Sequence, residues 1–186
     1  MLISYKWIKN YVDLPDSLTP EELALKLTMS TVEVEGVEKQ GKDLENIVVG
    51  LVKKVEKHPD ADKLQVCTVF DGNEDWQVVC GGTNLYENMK VAFAKVGSRV
   101  RWHGEGNMVE LAKAKIRGVE SFGMICASSE IGLGELFPIK VETEILDLNS
   151  IDNIEWKVGS ALSESVGLND VIIDIDNKSM THRPDL

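Results

Sequence analysis

The chain has 186 residues, 43% of them hydrophobic and 27% charged, with a formal net charge of −11. That length permits one large domain or two small ones around a buried core. No apolar run approaches the ~18 residues of a membrane-spanning helix, and Met1-Leu2-Ile3-Ser4-Tyr5-Lys6-Trp7 lacks the basic-then-apolar pattern of a secretory signal, so a cytoplasmic location is expected.

Residues 1–40 read as helix, helix, strand. Ser4 is a candidate cap for a short helix with Trp7, Ile8, Tyr11 and Val12 on one face. Asp13-Leu14-Pro15-Asp16 is a turn. Thr19-Pro20-Glu21-Glu22 is a strong helix start, with Thr19 as N-cap, Pro20 at the first helical position and Glu22 at the capping-box position. Leu23, Leu27 and Ala24 supply that helix with its buried side. Val32, Val34 and Val37 alternate with Glu33 and Glu35 in a strand that Gly36 interrupts. So short a unit cannot hold a stable core by itself.

Residues 44–148 change character. Short β-type runs are predicted at Ile47–Glu56, Leu64–Phe70, Trp76–Cys80, Val91–Val96 and Glu110–Ile116, with Asp71-Gly72-Asn73 as a hairpin turn. Five or six short strands in about 100 residues fit a small closed barrel. Ser128–Ile131 reads as a helical turn. An α/β pattern returns after 149, with a loop and short helix around Val158–Leu162 and a strand at Val171–Asp176.

Cys67, Cys80 and Cys126 form no CxxC pair and have no histidine at metal-ligand spacing. An odd, scattered set argues against a disulfide framework or a zinc site and for reduced structural thiols. The charge is unevenly spread. Between Lys42 and Arg117 there are 12 basic and 11 acidic residues, whereas the flanks carry 4 against 7 and 4 against 13. Net acidity opposes phosphate binding, but the middle segment is near neutral and leaves room for a basic face.

The densest chemistry lies in His58-Pro59-Asp60-Ala61-Asp62-Lys63-Leu64. Pro59 biases His58 towards an extended conformation. Asp60 and Asp62 are placed to bond local N–H groups, and Lys63 enters the next strand. Taken alone, this reads more readily as a surface turn with a solvated lysine. The stretch as a whole resembles the signature of the tRNA-binding OB module of aminoacyl-tRNA synthetases and free-standing tRNA-binding proteins. Further blocks follow in order: Val79-Cys80-Gly81-Gly82-Thr83-Asn84, Lys90-Val91-Ala92-Phe93-Ala94, and Lys115-Ile116-Arg117-Gly118-Val119-Glu120-Ser121-Phe122-Gly123-Met124-Ile125-Cys126-Ala127-Ser128. Gly118 and Gly123 allow close backbone approach. The RNA-binding residues expected on this resemblance are Lys63, Asn84, Lys113, Lys115, Arg117, Ser121 and Ser128. Trp76, Tyr86, Phe93 and Trp102 are the available stacking aromatics, each with core packing as the alternative.

The flanks narrow the family. Ile3–Val12, Leu27–Val37 and Asn177-Lys178-Ser179-Met180-Thr181-His182-Arg183-Pro184-Asp185-Leu186 resemble the N-terminal part of the bacterial phenylalanyl-tRNA synthetase beta subunit, although His182 stands where that family often has Asn. The resemblance covers essentially the whole chain. It implies an α+β fold with a five-stranded OB-type barrel, residues 41–151, inserted into a small discontinuous α/β domain made of 1–40 and 152–186. It further implies phenylalanine-specific tRNA as partner and an alpha subunit in an alpha2-beta2 heterotetramer. No cofactor is expected in this part of the ligase, and ATP and Mg²⁺ would serve the whole enzyme. No catalytic or metal site is expected here. His103 has no Ser or Cys partner, Gly132-Leu133-Gly134 lacks the strand–turn–helix context of a phosphate loop, and Glu130 and Glu135 read as exposed loop carboxylates. Two other readings remain open: a free-standing tRNA-binding or chaperone-type protein, and a structural barrel without RNA binding.

Overall fold

Local signals set the first elements. The computed structural model describes residues 1–141 and 143–176, so the expectation placed on Asn177–Leu186 lies outside the described residues. Strand β1 (Leu2–Ser4) runs into helix α1 (Tyr5–Lys9), whose N-cap Ser4 accepts the Trp7 N–H. Helix α2 (Pro20–Ser30) opens on the complete capping box. Thr19 Oγ1 accepts the Glu22 N–H at 3.2 Å, and Glu22 Oε2 accepts the Thr19 N–H at 3.0 Å. Strand β2 (Glu33–Lys39) follows. The apolar stripe expected on the first helix is not buried: α1 ends at Lys9, and Trp7 and Tyr11 are 61% and 75% exposed. A helix of one turn forms too few internal bonds to carry four apolar residues on one face.

The middle of the chain forms β3 (Ile47–Lys57), β4 (Gln65–Phe70), β5 (Asp75–Cys80) and β6 (Lys90–Lys95). Then come two hairpins, β7 (Arg99–Arg101) with β8 (Met108–Glu110), and β9 (Ala114–Ile116) with β10 (Val119–Ser121). Strand β11 (Gly123–Ile125), helix α3 (Leu162–Ser165) and strand β12 (Val171–Asp176) complete the set. The strand expected over 110–116 is thus divided between two hairpins. Leu111 ends the first hairpin: its N–H donates to Ser98 O at 2.7 Å, the position next to the Arg99–Glu110 pair, and its carbonyl accepts from Gly97 N–H at 2.8 Å. The fifth barrel strand is β11.

Two compact units group these elements: Met1–Lys42 with the stretch from Gly167, and Asp43–Val166. In the larger unit, antiparallel strands run in the order β11-β6-β3-β4-β5. The two edges return towards each other, because Phe122 N–H donates to Gln77 O at 2.9 Å and Ser121 Oγ accepts the Val79 N–H at 3.1 Å. The result is a nearly closed five-stranded barrel. Its core holds Val52, Cys67, Val69, Val78, Met89, Val91, Phe93 and Ile125. The Phe93 ring lies between two glycines. A Cβ on Gly50 would stand 2.8 Å from Phe93 Cβ, and one on Gly123 would stand 2.5 Å from Phe93 Cε2.

Residues 152–166, expected in the small domain, group with the barrel unit. Gly159 N–H donates to Val49 O at 2.8 Å and Val49 N–H to Ser160 O at 3.0 Å. Leu162 is fully buried. Contact is this close because Gly72 and Gly159 meet backbone to backbone: a Cβ on Gly72 would stand 2.6 Å from Gly159 Cα.

In the smaller unit, β12 is the central strand of an antiparallel sheet ordered β1-β12-β2. Ile173 pairs with Val37 and Ile175 with Val34, as the two valine and isoleucine runs suggest. The register shifts beside Gly36, the residue expected to interrupt the strand. Helix α2 packs on β2 and β12, burying Ala24 with Ile173 and Ile175. Asp170 joins the N-terminus to this sheet by accepting from Ser4 Oγ and from Lys6 N–H.

All three cysteines are buried. Burial pushes the thiol of Cys67 up to about 12 and that of Cys80 up to about 11, and holds Cys126 well above its ordinary value. Thiolate is the reactive form. A thiol reagent such as Ellman's should therefore titrate none of them in the folded chain at pH 8 and all three after denaturation.

Candidate nucleic-acid interface

The signature loop between β3 and β4 is organised by its histidine. His58 is buried, its N–H donates to Leu64 O at 3.1 Å, and its Nδ1 accepts the Asp60 N–H at 3.1 Å. Leu64 N–H donates to Ala61 O at 3.1 Å and closes the turn. The sequence suggested that the Asp60 and Asp62 carboxylates would hold this loop. Among the described residues neither accepts a hydrogen bond, and the imidazole takes that part. Lys63 is exposed at the end of the loop.

The second basic element is the β9–β10 hairpin. Ile116 pairs with Val119, leaving a two-residue turn in which Arg117 (φ 45°) and Gly118 (φ 90°) are both left-handed. Such turns match the twist of paired strands, and glycine removes the steric cost at the second position. Lys113, Lys115 and Arg117 are all exposed, but they are not equivalent. Lys113 pairs with Glu120 at 2.9 Å and lies over the Phe122 ring at 4.5 Å. Lys115 and Arg117 have no ion-pair partner among the described residues.

Of the other three expected contacts, two are hydrogen-bonded within the fold and the third is buried. Asn84 bonds both backbone groups of Ile145, donating to the carbonyl and accepting from the N–H, each at 2.9 Å. Ser121 is buried, accepting from Val79 N–H and donating to Gly123 O at 2.9 Å. Ser128 is fully buried, and its hydroxyl has no hydrogen-bond partner among the described residues. Ser121 and Ser128 are thereby shut away from solvent, and half-buried Asn84 spends one donor and one acceptor on the backbone. A hydroxyl between small and apolar residues in a β-type run fits a barrel seam as well as a ligand surface, and the sequence pattern does not separate the two.

The aromatics divide similarly. Phe93 is core, and Trp76 donates through Nε1 to Asp71 at 2.9 Å. Tyr86 donates to Asp147 at 3.0 Å, while Trp102 is 60% exposed and packs edge-on against His103. Glu130 is not the exposed carboxylate expected: burial raises its pKa, and it accepts the Ala127 N–H at 2.8 Å as a local cap. Among the described residues no three of His, Cys, Asp and Glu gather as metal ligands, and no helix is long and apolar enough to cross a membrane.

Residues 47–146 match the family described as "Putative tRNA binding domain". Over all 186 residues the chain is 48% identical to the phenylalanine–tRNA ligase beta subunit of Oceanobacillus iheyensis, covering 22% of that protein. It is 41% identical over 177 residues to the beta subunit of Bacillus cereus strain ZK / E33L, covering 94% of this chain and 21% of the relative. Against that of Hahella chejuensis it is 40% identical over 180 residues, 95% of this chain and 20% of the relative. The chain therefore spans about a fifth of the length of the curated relatives it matches.

Proposed function

Because this chain belongs to the tRNA-binding domain family, and resembles phenylalanine–tRNA ligase beta subunits from end to end, we propose that it is the RNA-binding and assembly region of such a beta subunit. Under this reading the barrel is an insertion in a split small domain formed by Met1–Lys42 and the stretch from Gly167. The partner protein is an alpha subunit, in an alpha2-beta2 heterotetramer in the cytoplasm. ATP and Mg²⁺ would serve the whole ligase. The RNA partner is the phenylalanine-specific tRNA.

The observation that carries the RNA reading is the hairpin turn with two exposed cations, Lys115 and Arg117, neither of which has an ion-pair partner among the described residues. Phosphate contacts by Lys and Arg release counterions, so affinity should fall with salt at a log–log slope of roughly −0.7 per contact for single strands. Lys63 is the third member of this surface. Lys113, already paired with Glu120, contributes less.

Binding of phenylalanine tRNA by this chain, measured between about 50 and 200 mM salt, tests the proposal. Replacing Lys115 and Arg117 together with Glu should abolish binding while leaving the fold intact, since exposed substitutions shift stability by about 0.5 kcal/mol or less each. Lys113→Glu alone should have the smaller effect. Binding that survives the double reversal, or ignores salt, would place the RNA surface elsewhere. No binding by the unaltered chain would leave subunit assembly as the role of the barrel.

A further inference from the structure

His58 does more than shape its own loop. It is 5% exposed, and both ring nitrogens are occupied. Because Nδ1 accepts the Asp60 N–H, the ring proton sits on Nε2, which then donates to the Ile116 carbonyl at 3.1 Å. Ile116 is the last residue of β9, directly before Arg117. The backbone N–H of His58 donates to Leu64 O, directly after Lys63. One buried side chain therefore joins the loop that carries Lys63 to the hairpin that carries Lys115 and Arg117.

The middle rung and the far end of that three-rung hairpin are held by different groups. Gln77 Nε2 donates to Glu120 O at 2.8 Å, and Ser121 is bonded to Val79 N–H. At the turn end, the His58 bond to Ile116 is the one side-chain hydrogen bond among the described residues. Without it, the base of the hairpin stays attached to β5 while the turn can swing away from the loop. The turn already holds Arg117 at positive φ, a conformation that persists only when its surroundings maintain it.

We infer that His58 is a positioning residue. By tying the β9–β10 turn to the 58–64 loop, it makes Lys63, Lys115 and Arg117 a single phosphate-binding surface rather than two independent ones. This inference rests on the tRNA-binding reading above. The histidine contacts no RNA itself. It sets the spacing between cations that a rigid RNA backbone can match.

His58→Asn separates its two tasks. An asparagine side chain can still accept the N–H two residues on, as in an Asx-turn, but it is too short to reach Ile116. His58→Ala removes both contacts. Hydrogen exchange on the RNA-free chain reads the tie directly. In His58→Asn the amides of β9 and β10 should exchange about two- to tenfold faster, the range set by one hydrogen bond, with β3, β4 and β6 unchanged. On tRNA affinity, Lys63→Ala and Arg117→Ala should be coupled in a double-mutant cycle in the unaltered chain and additive in the His58→Asn background. A role confined to stability would leave that coupling in place. Unchanged hairpin exchange, or coupling that persists in His58→Asn, overturns the inference while the RNA reading stands. An unaltered chain that binds no tRNA overturns the RNA reading, and this surface with it.

Discussion

Replacing Asp71 with alanine should destabilise the barrel by about 1–3 kcal/mol, the cost of leaving buried donors without their acceptor; the Lys95 end of the ion pair is 37% exposed and is re-solvated. Asp71 sits in the β4–β5 turn with its side chain 2% exposed, and Lys95 Nζ is 2.6 Å from its Oδ2. Oδ1 accepts the N–H groups of Asn73 (2.9 Å) and Glu74 (2.8 Å), and Oδ2 also accepts Trp76 Nε1. Alanine would leave the Lys95 ammonium and the Trp76 indole without this acceptor and would release the turn. Chemical denaturation, read as the shift in midpoint at constant m-value, measures the loss. Asp71→Asn keeps the shape and part of the bonding, and should cost less.

The same carboxylate makes a pH prediction. Burial by itself would raise its pKa, but the bonds from Glu74, Lys95, Asn73 and Trp76 outweigh burial and hold it well below the usual carboxylate range. With the folded value depressed, the stabilisation is present above the unfolded value of about 3.9 and is lost as pH falls from there towards the folded value. The unaltered chain should therefore lose stability on acidification below about pH 4 more steeply than Asp71→Asn. Equal acid slopes would show that Asp71 is not the linked group.

Phe93→Ala should cost a further class of interaction, about 3–5 kcal/mol. The ring is completely buried on β6 and packs against Gly50 of β3 and Gly123 of β11. Strand pairing holds these backbones at their spacing: Val48 is paired with Phe93, and Ile125 with Phe93. Neighbouring strands cannot collapse into the space without breaking those ladders, so the cavity should persist and the loss should fall at the upper end of the range. Phe93→Leu, which fills most of the volume, should recover much of it. A loss below about 1.5 kcal/mol for the alanine variant would mean the barrel relaxes around this position.

The sequence by itself determined the features that depend on near neighbours. The Thr19–Glu22 capping box, the Ser4 cap, the turn after Phe70 and four of the five barrel strands follow from residues within a few positions of one another. The exposure of Lys63, Lys115 and Arg117 was legible as well, because charge at a turn needs no partner to be recognised as exposed. Tertiary structure decided everything that requires two distant segments. It divided 110–116 between two hairpins, the first of which Leu111 ends by bonding back to Gly97 and Ser98. It placed 152–166 on the barrel through the glycine contact of Gly72 with Gly159. It also engaged Asn84 and Ser121 in the barrel itself, since a polar side chain bonds whichever unmatched backbone group the fold brings within reach, and sealed Ser128 inside. His58 shows the limit most sharply. Its position before Pro59 marks a turn, but its bond to Ile116 spans 58 residues, and no local pattern encodes a partner that only barrel closure delivers.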